Sequence, residues 1–192
     1  MPAPEADEDL MDAIAGGDAR AFAVLLERHT QKVRAIGWRM LGSAAAADDI
    51  AQDVFLRIWK NPRGFDRKKG RFSTWLHRVA ANACIDQLRR KSPEPLDDKM
   101  AETLVSAAPD PEEEAIRAGR ARRVRAAIGK LPERQRLAIT LAHDMGHTNI
   151  EIAQVMETSV EAVESLLGRA RRKLKELLAG EMREFGAKGE RR

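Results

Sequence analysis

Four prolines, Pro93, Pro95, Pro109 and Pro111, fall within the acidic stretch SPEPLDDKMAETLVSAAPDPEEE of a chain that otherwise carries helical periodicity. Proline removes a backbone donor and clashes with the preceding helical turn, so this stretch divides the chain into two helical blocks. No segment alternates apolar and polar residues as a half-buried strand does, and no internal repeat is present. The expected fold is all-α: two small helical domains joined by an acidic, proline-containing linker, the second with a helix-turn-helix. The expected boundaries are 1–92 for the first domain, 93–111 for the linker, 112–180 for the second domain and 181–192 for a basic tail. With 192 residues in all, each block holds a modest core.

Local signals place the helices. A short one over Glu5–Ala15 ends at Gly16-Gly17, Asp18 caps a longer one reaching Leu41, and Gly42 stops it. Ser43 caps a helix to Trp59, ended by Asn61-Pro62, and the loop NPRGFDRKKG leads into Arg71–Arg90. Beyond the linker the pattern predicts Glu112–Lys130, Pro132–His143, Asn149–Met156 and Val160–Leu178.

The net charge of +4 conceals segregation along the chain. Residues 1–31 carry 2 basic and 7 acidic side chains, and residues 32–91 carry 14 and 5. Residues 92–115 carry 1 and 8, and residues 116–192 carry 17 and 10. Two basic modules joined by an acidic strap point to nucleic acid, although solvated helix faces account for part of such an excess. No apolar run approaches the roughly 18 residues of a membrane span, and MPAPEADEDLMD is unlike a signal peptide, so the expected location is the cytoplasm without membrane insertion. The one cysteine, Cys84, forms no internal disulfide and reads as a small core residue.

Three surfaces carry chemistry. In FDRKKGRFSTWLHRVAANACIDQLRRK, Phe72, Leu76, Val79 and Ala83 form a buried stripe. Trp75, Arg78, Asn82, Ile85 and Arg89 form a second row beside it. An indole, an amide and two guanidiniums in line can stack on bases, bond to base edges and hold phosphates. The preceding Gly64–Gly70 loop, with Phe65, Lys68 and Lys69 ahead of Arg71, offers cations around flexible backbone and can hold a base drawn from its stack. On Ser43–Trp59 the core side takes Ala47, Ile50, Val54 and Ile58. Asp49, Gln52, Asp53 and Leu56 share the outer side, and an exposed leucine ringed by acids suits a basic, partly apolar protein partner. Trp75 as a core-edge ring and Leu56 as an ordinary exposed leucine are the plainer alternatives.

The third surface is the pair of helices near the C-terminus. Thr148 and Glu151 fit a capping box, ETS forms a tight turn, and Thr158 or Ser159 starts a longer basic helix. On that helix Val163, Leu167, Ala170, Leu174 and Leu177 form the buried stripe, which turns Glu161, Ser165, Gly168, Arg169 and Arg172 outward, as a groove-entering helix requires. An ordinary antiparallel helix pair with a solvated basic face is the competing reading.

DDIAQDVFLRIW, FDRKKGRFSTWLHRVAANACIDQLRR, LPERQRLAITL and NIEIAQVMETSVEAVESLLGRARRKL together resemble a bacterial RNA polymerase sigma factor of the extracytoplasmic-function group, within the primary-sigma-like family. The likeness spans about Ala19 to Leu178. It implies a non-enzymatic protein that binds core RNA polymerase and promoter DNA, is held by an anti-sigma factor, and serves a stress or envelope-response regulon. It implies polymerase binding by Asp49, Gln52, Asp53 and Leu56. It places Phe65, Lys68, Lys69, Arg71, Trp75, Arg78, Asn82 and Arg89 at the minus-ten element. Ser159, Glu161, Glu164, Ser165, Arg169, Arg171 and Arg172 fall on the helix at the minus-thirty-five element, and the strap resembles the one threaded through the polymerase channel. No cofactor, metal or small-molecule substrate is implied. Two departures stand out: Glu164-Ser165-Leu166 where the family often has a basic residue, Ser and Arg, and Glu157 at the usual glycine of the turn.

Two other classes compete with this reading. A response-regulator architecture requires a parallel sheet with a phosphorylatable aspartate, and no strands are predicted. An enzyme reading rests on His143 with His147, or on Asp48, Asp49 and Asp53. Gly146 interrupts the helix that would align the histidines, and the aspartates lack a companion base or phosphate loop.

Overall fold

The structure, a computed structural model, describes residues 6–91 and 111–189. Eight α-helices follow one another among the described residues: α1 Asp7–Ala15, α2 Ala19–Leu41, α3 Ala44–Lys60, α4 Phe72–Lys91, α5 Pro111–Gly129, α6 Glu133–His143, α7 Asn149–Val155 and α8 Val160–Gly189. Two short 3-10 turns, Pro62–Gly64 and Arg67–Lys69, shape the connection from α3 to α4. The all-α expectation holds. Residues 92–110, most of the expected linker, lie outside the described residues, as does Glu5. The last helix, α8, extends to Gly189.

The caps form as the sequence dictates. The Asp18 carboxylate accepts from the backbone of Arg20 at 2.7 Å and Ala21 at 3.2 Å, and Gly42 closes α2 at φ 71° while donating to Trp38 O. Ser43 Oγ accepts from Ala46 N at 3.3 Å to start α3. Between these helices a Cβ on Gly37 would lie 3.0 Å from Ala47 Cα. Only glycine permits that approach, and the buried Ala46, Ala47 and Ala51 continue the flat seam.

The first bundle wraps α1, α3 and α4 around α2, burying Leu10, Leu25, Val33, Ile36, Ile50, Val54, Phe72 and Leu76. Each such side chain contributes about 1.5–3 kcal/mol when fully buried. The acidic start of the chain has intramolecular partners. Glu8 Oε1 accepts from Phe72 N at 2.9 Å, capping α4 from another helix. Arg67 bonds Asp12 at 2.9 Å and Asp9 at 3.2 Å, while Asp7 holds Arg28 and the buried His29. Cys84 is buried in the same core, and burial pushes its thiol up to about 12.

The second bundle packs α6 and α7 against α8, with Leu137, Leu141, Ile152, Val163, Leu167 and Ala170 buried. Its core is continuous with the first. Arg136 of α6 joins them: its buried guanidinium donates to Met40 O at 2.6 Å, Leu131 O at 3.1 Å and Gly129 O. Met40 and Gly129 lie in the last turns of α2 and α5, where unpaired carbonyls concentrate negative potential, so these acceptors offset the desolvation of the cation.

Candidate nucleic-acid interface

Phe65 sits between the two 3-10 turns and packs edge-on against Phe72, with ring centroids 5.5 Å apart, and against Trp75 at 5.6 Å. The loop is thereby fastened to α4, and a pocket of about 270 Å³ opens between them. Gly64, Phe65, Lys69, Arg71, Trp75 and Arg78 are among its walls. Its volume is below the roughly 300–1,000 Å³ of most small-molecule sites. Trp75 is half-buried, so the two readings of it merge: one side of the ring completes the core and the ring also walls the pocket. The row continues along α4 through Arg78, the exposed Asn82 and the exposed Arg89. Phe72, Leu76 and Ala83 are buried beside it and Val79 is half-buried. Lys68 and Lys69 are exposed, and Lys69 lies 3.8 Å from Asp66.

On α3 the expected division holds. Ala47, Ile50, Val54 and Ile58 are buried, whereas Asp49, Gln52 and Asp53 are exposed with Leu56 at 44%. Trp59, also exposed, packs at a tilt against Phe22 with ring centroids 5.0 Å apart and widens the apolar part of this face. Asp48 pairs instead with Arg34.

The helix-turn-helix forms around its caps. Thr148 Oγ1 accepts from Glu151 N at 3.3 Å and the Glu151 carboxylate accepts from Thr148 N at 2.9 Å. These bonds to Thr148 hold the Glu151 carboxyl below the usual range. Ser159 Oγ accepts from Ala162 N at 3.2 Å at the start of α8. The turn passes through Glu157 at φ 49°, the one positive-φ residue other than glycine among those described. Glu161, Glu164, Ser165, Arg169, Arg171 and Arg172 are exposed on α8. Arg169 folds back on Ser165 Oγ at 3.0 Å. Leu166 packs against the core and so extends the buried stripe.

Several residues missed by sequence reasoning lie between the bundles. His77 Nδ1 meets His147 Nε2 at 2.6 Å, both rings nearly sealed from solvent. Glu151 lies 3.6 Å from His147 Nδ1. A proton on that nitrogen leaves His147 Nε2 to accept from His77 Nδ1–H. Burial, then the nearby His147, His29 and Lys32, lowers His77 to about 3, and burial likewise lowers His147. His143 is exposed and not part of this pair, and no group of three metal-ligating side chains occurs among the described residues. Arg39 bonds Asp144 through two nitrogens at 2.7 and 3.2 Å, and Arg39 and Arg125 both lie over the Trp38 ring. Arg71 stands 3.9 Å from Glu151 and Arg78 3.5 Å from Glu157.

Comparison with known proteins follows the same division. Sigma-70 region 2 matches residues 25–94, and Sigma-70, region 4 matches residues 121–174. The chain is 33% identical to the ECF RNA polymerase sigma factor SigW of Bacillus subtilis, over 84% of this chain and 91% of that protein. It is 31% identical to the RNA polymerase sigma-H factor of Pseudomonas aeruginosa, over 96% and 100% of the two chains. Among solved structures, CnrH in complex with the cytosolic domain of CnrY matches with a TM-score of 0.68 and 32% identity, covering 92% of this chain and 99% of that one. Two helical units in region 2 and region 4 order, with likeness along nearly the whole chain, make this protein a member of the ECF group of sigma-70 RNA polymerase sigma factors.

Proposed function

We propose that this chain, as a sigma factor directing core RNA polymerase to promoters, uses three separate faces for the task. The α3 face of Asp49, Gln52, Asp53 and Leu56 engages polymerase. The pocket and the α4 row, with Phe65, Lys68, Lys69, Arg71, Trp75, Arg78, Asn82 and Arg89, open and read the minus-ten element. The outer face of α8, from Ser159 through Arg172, docks at the minus-thirty-five element. Residues 1–92 form the first functional domain and 112–180 the second, with the strap between them in the polymerase channel. The chain does no chemistry of its own and acts in the cytoplasm; no described helix is long and apolar enough to cross a membrane. A protein inhibitor is a further partner, supported by the likeness to CnrH, solved in complex with the cytosolic domain of CnrY.

The observation that carries this reading is the alignment of pocket, half-buried indole and exposed amide on one side of α4. An unstacked base needs an aromatic wall, cations for its phosphates and a side chain able to donate and accept. Asn82→Ala should therefore reduce promoter opening by roughly five- to 150-fold, the equivalent of one good base contact at about 1–3 kcal/mol, while leaving polymerase binding intact. Co-purification with core polymerase, run-off transcription and permanganate footprinting on linear and pre-melted templates measure these steps. Normal opening by Asn82→Ala on every template would remove Asn82 from the site.

A further inference from the structure

The acids of α1 reach three other parts of the first bundle. Asp7 holds Arg28 and His29 of α2 at 2.9 and 2.7 Å. Glu8 accepts from Phe72 N at 2.9 Å, and Asp12 and Asp9 share the Arg67 guanidinium at 2.9 and 3.2 Å. Leu10, Met11 and Ile14 of the same helix are buried, so the core fixes where α1 lies and the acids act from a settled position.

The last two of these links hold the loop before α4 and its exit into that helix. Arg71, the residue before α4, has no side-chain oxygen to cap it, and Glu8 supplies the acceptor together with a negative charge at the positive end of the helix. Gly70, at φ 142°, takes a conformation that residues with a Cβ rarely adopt, and glycine's freedom leaves the exit of the loop to be fixed from outside. Phe65 is held by its ring contacts to Phe72 and Trp75, and Asp66 accepts from Lys68 N at 3.0 Å. Of the basic side chains from Arg67 to Arg71, Arg67 is the one hydrogen-bonded to carboxylates among the described residues, while Lys68 and Lys69 stay exposed. Arg67, Asp9 and Asp12 are themselves more than half exposed, so each pair is weak alone. Two carboxylates on one guanidinium, with the bond at Phe72, select one arrangement of the loop without being needed for the fold.

We propose that α1 is a positioning element for minus-ten recognition. Asp9 and Asp12 hold Arg67, and Glu8 holds the first N–H of α4, so that Phe65, Lys68 and Lys69 are presented to the strand in one arrangement. Arg67 is thus a fastener of the loop rather than a phosphate contact. The proposal rests on the assignment of the loop, pocket and α4 row to the minus-ten element.

The test uses full-length variants assembled with core polymerase, with promoter opening read by permanganate footprinting. Arg67→Glu should lower opening at least five-fold while polymerase co-purification is unchanged. Asp9→Lys with Asp12→Lys should lower it similarly, although added positive charge by itself favours DNA. All three substitutions together re-form the pairs with reversed charge and should restore opening to within about two-fold of the wild type. A promoter library selected with the Asp9→Lys, Asp12→Lys variant should show preference weakened at the minus-ten element and unchanged at the minus-thirty-five element. Glu8→Gln, which keeps an acceptor for Phe72 N, should retain more opening than Glu8→Ala. Normal or increased opening by the double lysine variant overturns the proposal, and so does a loss in Arg67→Glu that the combined variant fails to restore. Asn82→Ala checks the underlying assignment separately. Opening lost there but kept by the double lysine variant overturns the positioning alone, whereas normal opening in both overturns it together with the assignment.

Discussion

His77 of α4 and His147 ahead of α7 meet nitrogen to nitrogen at 2.6 Å, at a point where both rings are nearly sealed from bulk water. One proton serves the contact, and a second proton on the pair puts a charge where desolvation opposes it. His77 faces His147 with Glu151 behind it from the second unit, and His29 and Lys32 from α2, with Asp7 of α1 on His29.

A pH dependence follows from His77. Its folded value of about 3 lies below the ordinary 6.5, so the unfolded chain binds the proton more readily. Stability is fully present above about pH 6.5 and is lost as pH falls from there toward 3. At pH 5.5 the loss from His77 is about 1.4 kcal/mol, and the lowered His147 adds in the same direction. Urea unfolding at pH 7.5 and 5.5 should show this difference, and His77→Gln should shrink it by about 1.4 kcal/mol. An identical pH response in His77→Gln would falsify the assignment to this histidine.

Arg136 should be among the costliest single positions for stability. Arg136→Leu leaves Met40 O and Leu131 O buried without their donor and withdraws the link between α2 and α6. The expected loss is about 2–4 kcal/mol in denaturant unfolding. A variant as stable as the wild type would show that the carbonyls find water instead.

The acidic leucine face of α3 should be separable from folding. Asp53→Arg with Leu56→Arg changes two side chains that point away from the core, so the helical circular-dichroism signal should persist while polymerase co-purification is lost. Normal transcription by this double variant at ordinary protein concentration would move the polymerase contact elsewhere.

Glu164 tests what α8 reads. Its carboxylate repels phosphate but can accept from a cytosine amino group. As a base reader, Glu164→Lys should change preference at one or two adjacent promoter positions in a selected library. Uniformly tighter binding with unchanged preference would assign Glu164 to the rim of the groove.

Local periodicity made much of this structure readable. Val163, Leu167 and Ala170 alternate with the outward Glu161, Ser165 and Arg169 because one turn of helix fixes which neighbours share a face. Glu157 was visible as an oddity of the turn for the same local reason. What covers a face is a different matter. Glu8 capping Phe72, Arg136 reaching Met40 and His77 finding His147 are pairs 64, 96 and 70 residues apart. Each depends on where whole helices come to rest, which spacing along one helix does not encode. His147 was noticed beside His143 because they are close in sequence, yet its partner lies on α4.

The burial of Cys84 has a consequence for redox chemistry. With its thiol pushed up to about 12 by burial, almost none of it is thiolate at pH 7, and the sulfur lies on the buried side of α4. Peroxide and alkylating reagents therefore meet no reactive thiol on the folded chain. Thiol-based sensing of oxidants therefore has to be delivered by another molecule, and a cysteine introduced on the surface is the one that maleimides modify.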